Sequence, residues 1–290
     1  MNTYKLVADS GSTKTAWALV NESTSEVVNI RTKGFNPYFH SSEFISAEIA
    51  KEFSKANLNF LEIVEVFYYG AGCSSPDKNR IVETALRDLF PNAAITIGHD
   101  LVGAARACLG NEDGITCIIG TGSNSCVWED GQVVDNIPSH GYVFGDEGSG
   151  ALLGIQLAKL YLQNELSEEI KMAFEKRFGF KENDILNATY KKKDPNVFLA
   201  RFASFYEEFP NDPVFKKILI QNFRSFFVTR ITPYNSKFRN LGFVGSISHH
   251  YEEALKEVAQ EFGYKINRIC KCPIDELIKF HGKEVKVITE

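Results

Sequence analysis

The hydrophobic positions in the first hundred residues alternate between strand-like runs and helix-like spacings. Apolar runs beside Gly, Ser or polar turns are typical of strands, whereas apolar residues near helical spacing after a Ser or a Pro are typical of helices. The predicted strands are residues 5–9, 15–20, 26–31, 64–69 and 94–97. The predicted helices run from Ser41 or Ser42 to about Ala56, from Pro76 to about Phe90, and from Asp100 to Leu109. This alternation predicts an α/β fold.

The strand–turn–strand opening of the chain recurs about 110 residues later, which predicts a duplicated architecture. Further strands are predicted at 115–119, 125–129, 241–244 and 264–269, with a mostly helical segment from 148 to about 230 and a helix over 249–262. The helical segment is rich in Phe, which we expect in its core: Phe198, Phe202, Phe205, Phe209, Phe223, Phe226 and Phe227. We expect an N-terminal domain over residues 1–109 and a C-terminal domain over 110–290. Whether the last helix returns to the N-terminal domain is left open.

Charge and hydropathy indicate which partners the protein does not favour, and in which compartment we expect it. The formal net charge is −5 and no run of five Lys or Arg occurs, which argues against nucleic acid or an anionic membrane, although a local basic groove stays open. The apolar runs are shorter than the roughly 20 residues that cross a bilayer. The first five residues lead into a strand without the basic-then-apolar pattern of a secretory signal. We therefore expect a soluble, cytoplasmic protein.

The six cysteines do not show the spacing of a zinc site. Cys108 and Cys117 lie in apolar stretches, where a free thiol behaves as a small hydrophobe. Cys270 and Cys272 would share one face if both lay on a strand, and their role is left open. We expect reduced, structural thiols.

The first candidate for chemistry is the loop from Asp9 to Thr15, which contains Gly11 and several hydroxyl side chains. Small residues let backbone N–H groups approach phosphate oxygens, and Ser and Thr add donors. A P-loop requires Gly-Lys-Ser/Thr ahead of a helix, whereas Thr13 precedes Lys14 here and a strand follows. The loop therefore predicts a β-hairpin that binds phosphate through Gly11, Ser12, Thr13, Lys14 and Thr15. A plain hairpin turn is the alternative.

A second loop, Gly120-Thr121-Gly122-Ser123, repeats the strand–turn–strand pattern. Two such hairpins on either side of a cleft can hold one polyphosphate. Asp9, at the end of the first strand, can hold the waters of a Mg²⁺ ion that bridges phosphate oxygens. A turn-capping Asp is the alternative for Asp9.

The two loops resemble the phosphate motifs of the actin / sugar kinase / heat-shock-chaperone ATPase superfamily. The strand and turn of residues 241–247, with Gly245 and Ser246, resemble its adenosine motif, and Gly145–Ser149 (GDEGS) is similar to the N-acetylglucosamine kinases of the BadF/BadG/BcrA/BcrD ATPase family. The resemblance covers residues 4–281. It implies two actin-like (ribonuclease H-like) α/β domains flanking a nucleotide cleft, with ATP and Mg²⁺ as cofactors.

A kinase also needs a carboxylate that accepts the proton of the attacking hydroxyl. Asp100 ends a predicted strand and opens a helix, and the resemblance implies that it contacts the sugar and acts as the base. A plain helix N-cap is the alternative for Asp100, and His99 is the second candidate base.

The resemblance also implies a set of sugar-binding positions. They are Asn36, Asp100, Ser123, Gly141 and Asp146. Asn36, held extended by the following proline, has an amide that both donates and accepts. Glu147 and Ser149 could instead cap the following helix. The Gly-Trp-Gly contact segment of the family reads Ser139-His140-Gly141 here, so His140 replaces the Trp and recognition of an acetyl group is left open.

These observations predict an ATP-dependent kinase of a hexose or amino sugar, with N-acetylglucosamine as the first candidate. The expected partner is a small-molecule sugar, and a homodimer is left open. One alternative is a BadF-type ATPase that activates a dehydratase through an iron–sulfur cluster, but the Cys-Ala-Ala-Gly-Thr-Gly-type segment of that class is missing from the sequence. The other is a sugar sensor that has lost catalysis, which retention of Asp9 and Asp100 disfavours.

Overall fold

The structure is a computed structural model that describes residues 3–11, 13–56, 59–234 and 237–287. The chain divides into two compact units. Unit 1 comprises Met1–Asn111 and Cys272–Glu290, and unit 2 comprises Glu112–Lys271. The chain therefore passes from unit 1 to unit 2 and back.

Unit 1 contains a mixed sheet with the strand order β3-β2-β1-β4-β5. Its strands are β1 (Tyr4–Ser10), β2 (Lys14–Asn21), β3 (Val27–Lys33), β4 (Ile63–Gly70) and β5 (Ala94–His99). The first three pair antiparallel, whereas β1, β4 and β5 are parallel. The register aligns Ser10 with Gly70 and Gly70 with His99, so the carboxyl ends of the parallel strands meet at one edge. Asp9 and Asp100 lie at that edge.

Helices cover both faces of the unit 1 sheet. They are α1 (Ser42–Phe53), α2 (Pro76–Leu89), α3 (Asp100–Cys108) and α11 (Ile274–Val287). Ser41 and Ser75 accept hydrogen bonds from Phe44 N and Lys78 N and so begin α1 and α2. One core contains Trp17, Ile45 and Val82, and the smaller core on the opposite face contains Val7, Tyr69 and Leu277.

Unit 2 repeats this topology with the strand order β10-β9-β6-β7-β8. Its strands are β6 (Gly114–Ile119), β7 (Ser123–Glu129), β8 (Gln132–Asn136), β9 (Asn240–Val244) and β10 (Lys265–Cys270). Again the first three are antiparallel and the later two add in parallel. The predicted duplicated α/β architecture is confirmed. The sequence analysis missed β8, an edge strand in which Val134 is exposed.

The helices of unit 2 surround a core rich in phenylalanine. They are α4 (Gly150–Leu162), α5 (Glu168–Phe178), α6 (Glu182–Tyr190), α7 (Pro195–Ala200), α8 (Pro213–Phe226), α9 (Ser246–His250) and α10 (Glu252–Glu261). A π-helical turn, Phe227–Ile231, follows α8 directly. Of the seven expected core phenylalanines, Phe198 and Phe209 are half-buried and the other five are buried.

The predicted helix over residues 249–262 is wrong in its extent. Two helices, α9 and α10, occupy residues 246–261 and are separated at Tyr251, whose φ of −112° and ψ of 34° are not helical. The Tyr251 hydroxyl donates to the carbonyl of Ala203, and this long-range bond accompanies the break. None of the described helices is long and apolar enough to cross a membrane.

All six cysteines lie within the described residues, where no disulfide joins them. Cys270 is the last residue of β10 and is buried, whereas Cys272 lies beyond the strand, is exposed and belongs to unit 1. The two cysteines therefore do not lie on one strand, and the condition under which they would share a face is not met.

Candidate functional site

The first hairpin loop of unit 1 turns tightly between β1 and β2. Gly11 N donates to the Lys14 carbonyl over 3.0 Å, and a Cβ added at Gly11 would meet only that oxygen, at 3.8 Å. Thr13 and Lys14 are exposed, and Ser12 lies outside the described residues. The loop therefore has open space at Gly11 and a cationic side chain beside it.

Thr15 requires a correction. It is fully buried, its hydroxyl lies 2.8 Å from the Ser10 hydroxyl, and it donates to the Lys33 carbonyl. Because this side chain is used inside the sheet, it is not placed to bind a nucleotide as the sequence analysis expected.

Asp9 and Asp100 form a pair of interacting carboxylates. Burial and the neighbouring charge of Asp100 raise the pKa of Asp9 to about 7, while Lys14 acts in the opposite direction. A carboxylate in this position is stabilised by a cation, because the positive charge offsets both the desolvation and the repulsion.

The helix that begins at Asp100 is capped by the preceding residue. His99 is the N-cap, and its Nδ1 atom accepts from Leu101 N over 3.2 Å. Asp100 is the first residue of α3, so the alternative of Asp100 as the N-cap is wrong. Its Oδ1 atom is buried and, apart from His99 Nδ1, has no polar partner among the described residues.

His99 Nδ1 also lies 2.7 Å from Asp100 Oδ1. A ring nitrogen carries either a lone pair or a proton. Nδ1 therefore accepts from Leu101 N when it carries no proton, and it donates to Asp100 when it does, in the protonated ring or in the neutral Nδ1–H tautomer. Burial lowers the pKa of His99, but interaction with the Asp100 carboxylate outweighs burial and raises it overall. The ionisation of His99 is thus coupled to the state of Asp100.

Asn36 lies in the loop between β3 and α1. Its backbone N–H donates to His40 Nδ1 over 3.2 Å, and its Oδ1 atom accepts from Tyr38 N over 3.0 Å. Gly72 packs so closely that a Cβ there would overlap Asn36 Oδ1. The next residue, Cys73, is buried near Asp100. Burial and the charge of Asp100 raise the pKa of the Cys73 thiol to about 12. The segment after β4 therefore connects the surroundings of Asn36 and Asp100.

The second hairpin loop lies between β6 and β7 of unit 2. Gly120 N donates to the Gly122 carbonyl over 2.9 Å. The first two N–H groups of α4 also bind the loop. Gly150 N donates to the Gly120 carbonyl over 2.8 Å, and Ala151 N donates to the Thr121 carbonyl over 3.1 Å. A Cβ added at Gly120 would meet no atom within 4 Å. The loop is held rigidly and has open space at Gly120.

The turn after β9 passes close to this hairpin. Gly245 has a φ of +129°, and a Cβ there would overlap the carbonyl of Ile119 at the end of β6. Only glycine fits both requirements. The following residue, Ser246, is exposed and begins α9.

Residues 138–148, which we call the sugar loop, pack on the second hairpin through Asp146. The Asp146 Oδ1 atom accepts from Ser123 N over 3.0 Å and from the Ser139 hydroxyl. The Ser123 hydroxyl donates to the Glu147 carbonyl over 2.6 Å. The sequence-predicted residues Ser123 and Asp146 are therefore brought together, and both are buried.

The remaining predicted positions of the sugar loop, His140 and Gly141, are exposed and have φ values of +58° and +74°. Ser149 is the N-cap of α4 and accepts from Leu152 N. The alternative that Ser149 caps the helix, rather than binding sugar, is therefore confirmed. Glu147 does not cap the helix; it pairs with Arg230 over 2.8 Å. The sequence analysis missed Arg230, which follows a run of phenylalanines and carries no motif.

Each unit thus gathers its own set of candidate groups. The carboxylates and the first hairpin belong to unit 1, and the second hairpin, the sugar loop and the Gly245 turn belong to unit 2. Within the described residues, no cluster of three or more His, Cys, Asp or Glu could hold a metal ion by protein ligands alone.

Known proteins of similar structure were compared with the chain. A candidate N-acetylglucosamine kinase from Porphyromonas gingivalis matches with a TM-score of 0.88 and 33% identity over 96% of this chain and 98% of its own. A candidate N-acetylglucosamine kinase from Chromobacterium violaceum matches with a TM-score of 0.66 and 16% identity over 96% and 98% of the two chains. A ROK family glucokinase from Streptomyces griseus, in complex with glucose and AMPPNP, matches with a TM-score of 0.63 and 13% identity over 97% and 98%. The last two share the fold with this chain. No protein-family model and no curated protein matches it.

Proposed function

The chain belongs to the N-acetylglucosamine kinase-like family of actin-like sugar kinases, and we propose that it transfers the γ-phosphate of ATP to a hydroxyl group of a hexose or amino sugar. N-acetylglucosamine is the first candidate substrate. The observation that carries the proposal is the Oδ1 atom of Asp100, a buried carboxylate oxygen whose polar neighbour among the described residues is His99 Nδ1, at the edge where Asp9 also lies.

Asp100 is the proposed base. While His99 Nδ1 carries no proton, the buried Asp100 oxygen beside it lacks a donor, which is costly unless a ligand supplies one. A sugar hydroxyl is such a donor: its proton passes to Asp100, its oxygen bonds to the γ-phosphorus, and ADP leaves with the bridging oxygen. His99 Nδ1, 2.7 Å from Asp100 Oδ1, would influence the proton affinity of the Asp100 carboxylate.

Asp9 fits the proposed Mg²⁺ ion. Magnesium is usually held by one or two carboxylates together with water and phosphate oxygens, so no larger protein cluster is needed. Burial and the charge of Asp100 raise the pKa of Asp9, and a bound cation would offset both effects. When bound, the ion would neutralise phosphate charge, and Asp9 would orient its waters.

Each unit carries proposed nucleotide-binding groups. Gly11, Thr13 and Lys14 offer N–H groups, a hydroxyl and a positive charge. In the second hairpin, Thr121 and Gly122 flank the open backbone of Gly120, and the Asp146 carboxylate packs against Gly122. By the family pattern, Gly245 and Ser246 lie on the adenosine side. Each unit would thus contribute a phosphate-binding hairpin of its own.

The proposed sugar contacts are a larger set of polar groups. They are Asn36, Asp100, Ser123, His140, Gly141 and Asp146. Because the Oδ1 atoms of Asn36 and Asp146 already accept hydrogen bonds from the protein, a sugar would meet their remaining polar atoms.

The dehydratase-activator alternative requires exposed cysteines that bind an iron–sulfur cluster between two copies. Five of the six cysteines are buried, and Cys272 alone is exposed among the described residues. Anaerobically purified protein should therefore be colourless, and Cys272→Ser should leave ATP consumption unchanged. A brown protein with stoichiometric iron would favour the activator instead.

The proposed function is tested by ADP release. Purified protein is incubated with Mg·ATP and one sugar at a time: N-acetylglucosamine, N-acetylmannosamine, glucosamine, glucose or no sugar. We expect sugar-dependent ADP release and a phosphorylated sugar of matching mass. ADP release without a phosphorylated product, or sugar binding without turnover, would contradict a kinase and favour an ATPase or a sensor.

A further inference from the structure

Arg230 is a buried cation that no part of the proposed chemistry uses. Its side chain is 3% exposed, and it lies in the π-helical turn after α8. Its Nε and Nη2 atoms donate to Glu147 Oε2 over 3.0 and 2.8 Å, Nη2 donates to the Ser139 carbonyl over 3.1 Å, and Nη1 donates to the Pro138 carbonyl. One guanidinium therefore binds both ends of the sugar loop.

We infer that Arg230 is a positioning residue that holds the sugar loop in its sugar-binding conformation. This inference rests on the proposed function. The planar guanidinium presents several donors in a fixed arrangement, which suits the simultaneous binding of a carboxylate and two carbonyls.

The loop needs such an anchor because its backbone is strained. His140, Gly141, Asp146 and Gly148 all have φ between +58° and +85°, and two of these are not glycine. Strained conformations persist only where surrounding contacts determine them. Val143 and Phe144 do not supply those contacts, since they are 65% and 83% exposed, whereas Tyr142 between Gly141 and Val143 packs against the core.

Packing around the guanidinium is equally specific. A Cβ added at Gly145 would overlap both the Ser139 carbonyl and the Arg230 Nη2 atom, so only glycine lets the loop close over the guanidinium. The turn that carries Arg230 is itself fixed to β7, because the Ser125 hydroxyl donates to the Arg230 carbonyl over 3.0 Å.

The contacts lead directly to the proposed sugar residues. Arg230 fixes Ser139, the Ser139 hydroxyl donates to Asp146, and Asp146 accepts from Ser123 of the second hairpin. A shift of the loop would therefore displace sugar-binding groups, while Gly120 and Thr121 stay anchored independently by α4.

The test compares Arg230→Lys with Arg224→Lys. Lysine keeps the charge at position 230 but cannot reproduce the planar set of donors. Arg224 forms the matched control pair on the surface of the same unit, with Nε and Nη2 2.8 and 2.6 Å from Glu261. For Arg230→Lys we expect the KM for the sugar to rise by about tenfold or more, a typical effect of removing a residue that orients binding groups without touching the ligand. The KM for ATP should stay close to that of the parent. Amides of residues 139–148 should exchange hydrogen faster. Arg224→Lys should change none of these.

Two outcomes would overturn the inference. In the first, neither the KM for the sugar nor hydrogen exchange in the sugar loop changes. In the second, both KM values change equally and exchange is faster throughout unit 2, which indicates general destabilisation. Should Arg230→Lys fail to fold, Glu147→Gln removes the partner charge with little change of shape and is expected to give the same selective effect. If the parent phosphorylates no sugar, the proposed function fails, and the exchange of residues 139–148 alone decides whether Arg230 fixes the loop.

Discussion

The hydroxyl of Tyr69 lies 2.8 Å from Nε2 of His281, although the two residues are 212 positions apart. Tyr69 is on β4 and His281 is on α11, where its ring stacks on Phe67 with centroids 3.7 Å apart. Arg106 of α3 donates to the same hydroxyl over 2.6 Å. One phenol thus connects the returning C-terminal helix, the sheet and the helix that begins at Asp100.

Tyr69→Phe should destabilise unit 1, because it leaves the buried His281 and the half-buried Arg106 without this partner. The expected loss is about 1–3 kcal/mol of unfolding free energy. Each unit contains one tryptophan, Trp17 or Trp128, so urea unfolding followed by fluorescence in a Trp128→Phe background reports on unit 1. Tyr161→Phe, which removes a bond to exposed Glu175 of unit 2, is the control and should leave this transition unchanged. An equally unchanged transition for Tyr69→Phe would contradict the prediction.

Asp100→Asn should abolish proton acceptance while it preserves shape. Loss of a general base typically costs on the order of 10²–10⁴ in rate, so kcat should collapse while calorimetric affinity for Mg·ATP stays near that of the parent. Asp88→Asn, at an exposed position on α2, serves as the control and should be fully active. Near-normal turnover of Asp100→Asn would assign the base to another residue.

Gly11→Ala and Gly120→Ala separate ligand binding from folding. Neither added methyl group would meet a protein atom closer than 3.8 Å, so we expect thermal stability close to that of the parent. The methyl groups would obstruct phosphate approach to the backbone, and affinity for Mg·ATP should fall by about tenfold or more. Gly282→Ala, in equally open space on α11, should bind ATP normally. Unchanged affinity in both hairpin variants would contradict the two-loop interpretation.

The elements of the fold were largely predictable because their signals are local. Ser41 and Ser149 cap helices at positions that the sequence marks, and most predicted strands lie within two residues of those observed. The failures depend on distant contacts. The helix break at Tyr251 accompanies a bond to Ala203, and β8 pairs at the sheet edge with few apolar residues to mark it.

The candidate site was predictable where a motif determines backbone conformation, as at Gly245, whose positive φ and close packing require glycine. It was not predictable where side chains meet across the sequence. Arg230 follows a run of apolar helix residues, and only the tertiary structure shows that it binds Glu147, 83 positions away. Thr15 belongs to a Gly/Ser/Thr loop by sequence, but strand alternation turns its hydroxyl inward.

Stability should depend on pH through His99. Its pKa is raised in the folded state above the ordinary 6.5, so the protonated form contributes stability that is fully present below pH 6.5 and is lost as pH rises through the raised pKa. His99→Asn keeps a capping acceptor for Leu101 but cannot be protonated. The parent should therefore be more stable than this variant at acidic pH, and the difference should shrink as the pH rises.

The measurement is urea unfolding of both proteins between pH 5.5 and 8.5, so that titration of other groups cancels in the difference. His250→Asn is the matched control, because His250 pairs with Glu207 at an exposed site where the interaction is weak. A difference between parent and His99→Asn that stays constant over this range, or grows with pH, would show that His99 does not ionise as described.

Specificity for the acetyl group should be modest. His140 stands where the family has Trp, and it offers less flat apolar surface for an acetyl methyl group. An apolar contact discriminates by only about 10–200-fold, whereas a site built on a hydrogen bond can reject the analogue that lacks it by orders of magnitude. We expect the kcat/KM for N-acetylglucosamine to exceed that for glucosamine or glucose by about 10–200-fold, the range of an apolar contact.

The backbone at His140 determines which variants can test this. Its φ of +58° is a conformation that His and Asn tolerate better than bulky side chains. His140→Asn keeps the backbone and removes the ring, so it should reduce kcat/KM for N-acetylglucosamine more than for glucose. His140→Trp should increase the preference for the acetylated sugar if the sugar loop keeps its shape, which hydrogen exchange of residues 139–148 checks. A preference above about a thousandfold that neither variant alters would place the acetyl contact elsewhere, because an apolar contact at position 140 cannot produce discrimination of that size.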